Sequence, residues 1–245
     1  MRPRRGYNVR VSVLGFPIDP LGVDAAIARV QAASADQPLQ VVTINAEMAI
    51  QGLADRGLGD VLRGAGLVLP DGSGVVWAIR RQGNPVQKLA GVEFVGHMAQ
   101  WCAANGKRMY LFGAGDGVAA EAASTLKARY PGLEIAGVRS GFFRPEEEEA
   151  IREEIRAARP DVLLVALGVP RQEKWIAEHQ AALGVPVAMG VGGSFDVLAD
   201  RVKRAPLAFR RFHLEWLFRL IQEPWRWKRM SSTLPRFAWL VLREK

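Results

Sequence analysis

Five polar side chains stand where short apolar runs give out. Thr43 and Asn45 close the run Leu39–Ile44, Asp71 follows Leu67–Leu69, and Gln172 and Glu173 follow Asp161–Leu167 and Pro170. A hydroxyl and an amide, as at Thr43 and Asn45, are neutral hydrogen-bonding groups suited to a sugar or a base. Asp71 lies in Pro70-Asp71-Gly72-Ser73-Gly74, one carboxylate in a glycine turn ahead of the apolar segment Val75–Ile79. That pattern fits a general base, and equally an N-cap whose oxygen accepts a backbone N–H. Gln172, at a helix start, is placed to reach a ligand, whereas Glu173 beside it reads as a cap. Two glycine-rich segments complete the set: Gly113 and Gly115 in Phe112-Gly113-Ala114-Gly115-Asp116-Gly117, and Gly190-Val191-Gly192-Gly193. Glycine admits close backbone approach and helix N-termini offer N–H groups to anions, so a phosphate-bearing ligand is the first expectation. The first loop departs from a dinucleotide fingerprint, because Val118 stands where its third glycine belongs.

The elements that must hold these groups alternate. Candidate strands are 10–14, 39–44, 67–69, 108–112, 134–138, 161–167 and 186–190; candidate helices include 23–33, 46–56, 92–104, 117–130, 145–158 and 172–182. Unbroken apolar strands separated by helices of ten or more residues imply βαβ units, so the expected class is α/β, a Rossmann-like, mainly parallel sheet flanked by helices. Ligands of such sheets collect outside the carboxyl ends of the strands. The one shift in composition falls near Asp200, which suggests a catalytic domain over 1–199 and a basic, aromatic, helical appendage over 200–245.

Composition excludes several classes. With 245 residues and 49% hydrophobic content the chain builds a real core. Its single cysteine, Cys102, rules out an intrachain disulfide and reads as a buried helical thiol. Neither a signal peptide nor a membrane span is indicated. The three histidines, His97, His179 and His213, lack ligand spacing, and the Glu146–Glu149 run follows Pro145 as a solvated helix start, so no metal site and no cofactor is expected. No Asp-x-Asp, Walker loop or Gly-x-Ser-x-Gly elbow occurs. Net charge is +8, and from Asp200 onward twelve Lys or Arg face four acids, so the tail carries all of it. Four of the seven Trp (216, 225, 227, 239) lie there too. Interleaved basic and aromatic residues suit an anionic membrane surface better than nucleic acid, because Trp favours the interface. The plain alternative is that these Trp pack on the main domain.

Taken in order, Thr43-x-Asn45, Asp71-Gly72-x-Gly74, Leu111-Phe112-Gly113-Ala114, Gly141-Phe142-Phe143, Leu167-Gly168-x-Pro170-x-Gln172-Glu173, Gly190-x-Gly192-Gly193-x-Phe195-Asp196, Arg204-Ala205-Pro206 and Glu215-Trp216-x-x-Arg219 through Glu223-Pro224-x-Arg226 resemble the WecG/TagA/CpsF glycosyltransferases (glycosyltransferase family 26), from about residue 10 to 230. The resemblance implies an inverting, metal-independent hexosyltransferase that takes its sugar from a UDP-sugar donor. The acceptor would be a polyprenyl-diphosphate-linked sugar on the inner face of the cytoplasmic membrane, for teichoic acid, enterobacterial common antigen or exopolysaccharide. Asp71 would deprotonate the acceptor hydroxyl. Thr43, Asn45, Gly72, Gly74, Lys88, Gly113, Gly115, Gln172, Glu173 and Gly192 would contact substrates. Without a metal, charge on the leaving diphosphate must be met by backbone N–H and cationic groups; Arg204, Arg211, Arg219 and Arg226, seven or eight residues apart, are the candidates.

One segment departs from the family pattern: Lys88-Leu89-Ala90-Gly91-Val92-Glu93 stands where Arg-x-x-Gly-x-Asp is usual. Both charges are kept, but Lys lacks the fork of Arg, which leaves the sugar open between an N-acetylmannosamine type and glucose. A cytoplasmic, peripheral membrane protein is the expectation, and a homo-oligomer is compatible with it. Two other classes compete. A nicotinamide-dependent oxidoreductase would use Gly113–Gly117 with Glu134, and a basic nucleic-acid-binding protein would use the tail while leaving Asp71 and Gln172 without a task.

Overall fold

The computed structural model describes residues 10–206, 209 and 215–244, and only the backbone of Arg219, Arg226 and Arg229. The chain opens with an antiparallel hairpin, β1 (Val11–Val13) and β2 (Phe16–Ile18), registered Val11 to Ile18 and Val13 to Phe16. Its two turn residues, Leu14 and Gly15, both have positive φ, the geometry that matches the twist of a two-residue hairpin. Sequence patterning finds β1 but misses β2, where Pro17 argues against a strand.

The larger sheet has six strands in the order β4-β3-β8-β7-β5-β6. They are β3 (Leu39–Ile44), β4 (Leu67–Pro70), β5 (Arg108–Gly113), β6 (Glu134–Arg139), β7 (Val162–Ala166) and β8 (Val187–Gly190). The pairs β3–β8, β8–β7, β7–β5 and β5–β6 are parallel. Every residue of β4, β7 and β8 is buried, which is why these strands read as unbroken apolar runs. The edge strand β6 has no fully buried residue, and its Val138 is exposed. The expected α/β class is the class observed.

Helices fill the intervals: α1 (Val23–Gln31), α2 (Ala46–Ala54), α3 (Arg56–Gly64), α4 (Gly72–Arg81), α5 (Gly91–Ala104), α6 (Val118–Arg129), α7 (Glu148–Ala158), α8 (Arg171–Leu183), α9 (Ser194–Leu198), α10 (Glu215–Gln222) and α11 (Trp227–Arg243). The expected helix over 46–56 stops at Asp55. That residue's N–H closes α2 on the Gln51 carbonyl, while its carboxylate accepts the Leu58 N–H at 3.1 Å and starts α3. Such a cap is worth about 1 kcal/mol, and it starts α3, a helix absent from the expected elements. The Glu146–Glu149 run does begin a helix: Pro145–Glu147 form a 3-10 turn, and Glu147 accepts the Arg144 N–H at 2.8 Å. Cys102 is buried, and burial, then the Asp161 charge, push its thiol up to about 12, as for an inert core cysteine.

By internal contacts the chain forms two compact units. The first takes in the described parts of Met1–Gly22, Thr43–Ala90 and Ala205–Lys245; the second takes in Val23–Val42 and Gly91–Arg204. In the first, α2 and α3 pack tightly through glycine: a Cβ on Gly52 would lie 2.8 Å from Leu62 Cδ1, and one on Gly59 would lie 2.6 Å from the Gly52 carbonyl. Helix α11 packs on α2 and α4 and buries Met230, Phe237 and Val241. In the second, Tyr110, Phe112, Leu163, Val165, Trp175, Ile176 and Ala188 form a continuous core between the sheet and α7 and α8. Among the described residues no helix is long and apolar enough to cross a membrane.

Candidate active site

In the first unit, the carboxyl ends of β3 and β4 bring four of the expected residues together. Thr43 is buried near the end of β3, and Asn45 caps α2 by accepting the Met48 N–H at 3.0 Å. The Asp71 backbone N–H donates to the Ile44 carbonyl at 2.8 Å, which ties the turn after β4 to the end of β3. Asp71 occupies the N-cap position of α4 with extended backbone, yet its carboxylate makes no capping bond. That separates the two sequence readings: the position is that of a cap, but the side chain, half-buried, is not spent on capping. Gly72 has φ +77° and passes close to Asn45, whose Cβ would be 3.6 Å from a Cβ placed there. The Leu89 N–H donates to the Pro70 carbonyl at 3.1 Å, so the segment carrying Lys88 returns to the Asp71 turn. Lys88 itself is ion-paired with Glu215 at the start of α10, both side chains largely shielded.

Gly74 reveals a neighbour that sequence reasoning missed. A Cβ there would lie 3.3 Å from Ala46 Cβ and 3.6 Å from the Phe237 ring. Phe237, from α11, is thus seated one turn from Asp71. Its only sequence signal is membership of the aromatic tail. The Trp residues of that tail do not pack inward: Trp225 is 71% and Trp227 61% exposed, and Trp216, Trp239, Ile221 and Leu242 are also exposed.

In the second unit, strand-end loops carry the remaining expected groups. Gln172 is only 2% exposed. Its Oε1 accepts the Gly168 N–H at 3.1 Å and the Gly192 N–H at 3.0 Å, and its Nε2 donates to Glu173 Oε1 at 2.7 Å. The amide is therefore engaged within the protein and joins the loops that follow β7 and β8. Glu173 is 1% exposed, and burial pushes its carboxyl up to about 7 against the opposing hydrogen bonds from Gln172 and its own backbone. Gly190, at the end of β8, makes room for the pair: a Cβ would fall 2.6 Å from Gln172 Nε2 and 2.7 Å from Glu173 Oε1. No periodicity in the sequence signals that contact.

The loop after β5 is shaped by packing. A Cβ on Gly113, where φ is +123°, would lie 2.5 Å from the backbone of Ala166, and the Ala114 N–H donates to the Ala166 carbonyl at 2.8 Å. Gly113 thus serves the approach of β5 to β7, which removes one argument for a dinucleotide cradle. A Cβ on Gly115 would lie 3.7 Å from the exposed Phe142 ring, and Asp116 accepts the Ser140 hydroxyl at 2.6 Å. Arg204 is exposed and pairs with Glu93. Arg211 lies outside the described residues, as do the side chains of Arg219 and Arg226.

Known proteins place the chain in a family. A model described as "Glycosyl transferase WecG/TagA/CpsF family" matches residues 11–245. A Bacillus subtilis (strain 168) protein named N-acetylglucosaminyldiphosphoundecaprenol N-acetyl-beta-D-mannosaminyltransferase is 39% identical over 213 residues, 86% of this chain and 82% of the relative. A protein of the same name from Bacillus spizizenii (strain ATCC 23059 / NRRL B-14472 / W23) is 39% identical over 206 residues, 84% and 79% of the two chains. Another of that name, from Staphylococcus aureus (strain MW2), is 29% identical over 247 residues, 98% and 95% of the two. On a match that spans nearly the whole chain, this protein is a glycosyltransferase and belongs to the WecG/TagA/CpsF family.

Proposed function

We propose that the protein transfers a hexosyl unit from a UDP-sugar to a sugar linked to a polyprenyl diphosphate, with inversion and without a metal. The observation that carries this reading is Asp71: a carboxylate at a helix N-terminus whose oxygens are not used to cap that helix. Direct displacement with inversion needs one base to remove the proton of the attacking hydroxyl, and Asp71 supplies it. Thr43, Asn45 and Lys88 surround the same turn as hydrogen-bond and charge partners for substrate. In the second unit, the loops at Gly113, Gly115 and Gly192, held by Gln172 and Glu173, form the donor scaffold. The cations Arg204, Arg211, Arg219 and Arg226 offset diphosphate charge. The names of the relatives favour N-acetylmannosamine as the sugar and N-acetylglucosamine on undecaprenyl diphosphate as the acceptor. The replacement of Arg-x-x-Gly-x-Asp by Lys88 to Glu93 keeps glucose as the competing donor sugar.

The outward Trp residues of 216–239 favour contact with an anionic membrane surface, the place where such an acceptor is found. We read 200–245 as that membrane and acceptor appendage, on a protein peripheral to the cytoplasmic membrane. The test is incubation with a panel of UDP-sugars and a synthetic lipid-diphosphate sugar, with and without EDTA, followed by product mass and linkage. One β-linked product formed at full rate in EDTA is expected. A retained anomeric configuration, or a rate lost to EDTA and restored by magnesium, overturns the mechanism.

A further inference from the structure

The buried pair at the start of α8 has an internal logic that fixes its protons. Gln172 Oε1 accepts two backbone N–H groups, so its Nε2 is the donor end. The bond from Nε2 makes Glu173 Oε1 an acceptor, and any proton on the carboxyl must sit on Oε2. Glu173 Oε2 is buried and meets no hydrogen-bond partner. An ionised carboxylate would leave charge on an oxygen that no donor reaches, whereas the neutral acid leaves one unpaired hydroxyl, a far smaller cost. The elements packed around it add no charge: β3 contributes Gln40, whose Nε2 donates to the Glu173 carbonyl at 3.0 Å, and β8 contributes Gly190. On α8 itself, Arg171 is turned over the Phe143 ring. Among the described residues no ion pair reaches Glu173.

We propose that Glu173 is a positioning residue, a neutral buried acid that locks the Gln172 amide and through it the Gly168 and Gly192 loops. The inference rests on the reading of those loops as the donor scaffold. Its physical content, however, is measurable without any ligand. Once ionised, Glu173 is drawn toward water, the bond to Gln172 loses its fixed partner, and both glycine amides are released. The burial that raises the carboxyl to about 7 places that release in the neutral to mildly alkaline range.

The experiment is residue-resolved amide hydrogen exchange at Gly168 and Gly192 in the wild type, Glu173→Gln and Glu173→Ala, at about pH 6 and about pH 8.5, corrected for intrinsic exchange. UDP is titrated into the same three proteins. Glu173→Ala is expected to exchange about tenfold faster or more at both glycines, with Glu173→Gln restoring protection. Protection in the wild type is expected to fall by a similar factor between the two pH values, and in Glu173→Gln to stay constant. Unchanged exchange in Glu173→Ala overturns the proposal, as does a wild-type pH response that Glu173→Gln shares. Should Glu173→Ala fail to fold, the pH comparison between wild type and Glu173→Gln decides alone. If the wild type takes up no UDP, the donor reading fails while the exchange result still settles the positioning role. Equal UDP affinity in all three proteins despite altered exchange would detach the clamp from donor binding.

Discussion

Asp71 and Glu173 occupy near-equivalent places in the sequence, an acid just after a buried strand and at the start of a helix, and their fates are opposite. Asp71 is half-buried, holds the N-cap position without capping, and is tied by its N–H to Ile44, between Thr43 and Asn45 in the chain. Glu173 is sealed, bonded to a neighbouring amide and pushed toward the neutral form. The difference is set by what packs on each. Gly72, with positive φ, swings the chain so that Asp71 is left at the surface of its turn, whereas Gly190, having no side chain, lets the β8 backbone close over Gln172 and Glu173. Two acids that look alike in sequence thus end in different surroundings, one half-buried and one sealed.

The comparison can be broken in four ways. The largest effect is expected from Asp71→Asn, which should lower turnover on a lipid-diphosphate acceptor by about 100-fold or more while thermal unfolding stays unchanged. Equal turnover would remove Asp71 from the mechanism. The second concerns Glu173 and pH. Its folded-state pKa, about 7, lies above the ordinary 4.5, so folding takes up a proton between those values and stability falls as pH rises through that window. The upper limit of the loss is about 3 kcal/mol, read as a drop in urea midpoint from about pH 4.5 to about pH 8 that Glu173→Gln removes. A midpoint with the same pH slope in both proteins would show that the acid is not sealed.

Third, Gly190→Ala drives a methyl group into the Gln172–Glu173 pair and is expected to cost about 1–3 kcal/mol, seen as a melting temperature several degrees lower. Gly192→Ala, strained by its φ of +50° but facing open space, should show less; the reverse order would deny the crowding argument. The smallest effect is expected at a distance from both acids. Trp225→Ala with Trp227→Ala should weaken binding to anionic vesicles about tenfold and leave the fold intact, since both rings are exposed. Unaltered vesicle binding would end the membrane reading of the tail.

How much of this the sequence carries depends on range. The parallel strands were legible because burial on both faces writes an unbroken apolar run, and so was the placing of Asp71, Gln172 and Gly192 where those runs end; that Gln172 turns inward was not. What was hidden is contact between residues distant in the chain. Nothing local announces that Gly190 faces Gln172, that Glu215 pairs with Lys88, or that Phe237 rests on Gly74. The helix that Asp55 caps, α3, was hidden for a different reason: Gly57, Gly59 and Gly64 dilute its helical pattern. For the tail Trp residues the sequence left two readings, an outward face and packing on the main domain, and their exposure goes against the second.

The seat of Phe237 on Gly74 has a geometric corollary. Helix α11 carries the exposed Trp227 and Trp239 and, through Phe237, is docked on the helix that begins at Asp71. Under the membrane reading, the depth at which those rings settle among lipid head groups therefore sets the altitude of the carboxylate above the bilayer. A diphosphate-tethered sugar can rise only as far as its leash allows. The missing side chain at Gly74 would then be the notch that matches the height of the base to the length of that leash.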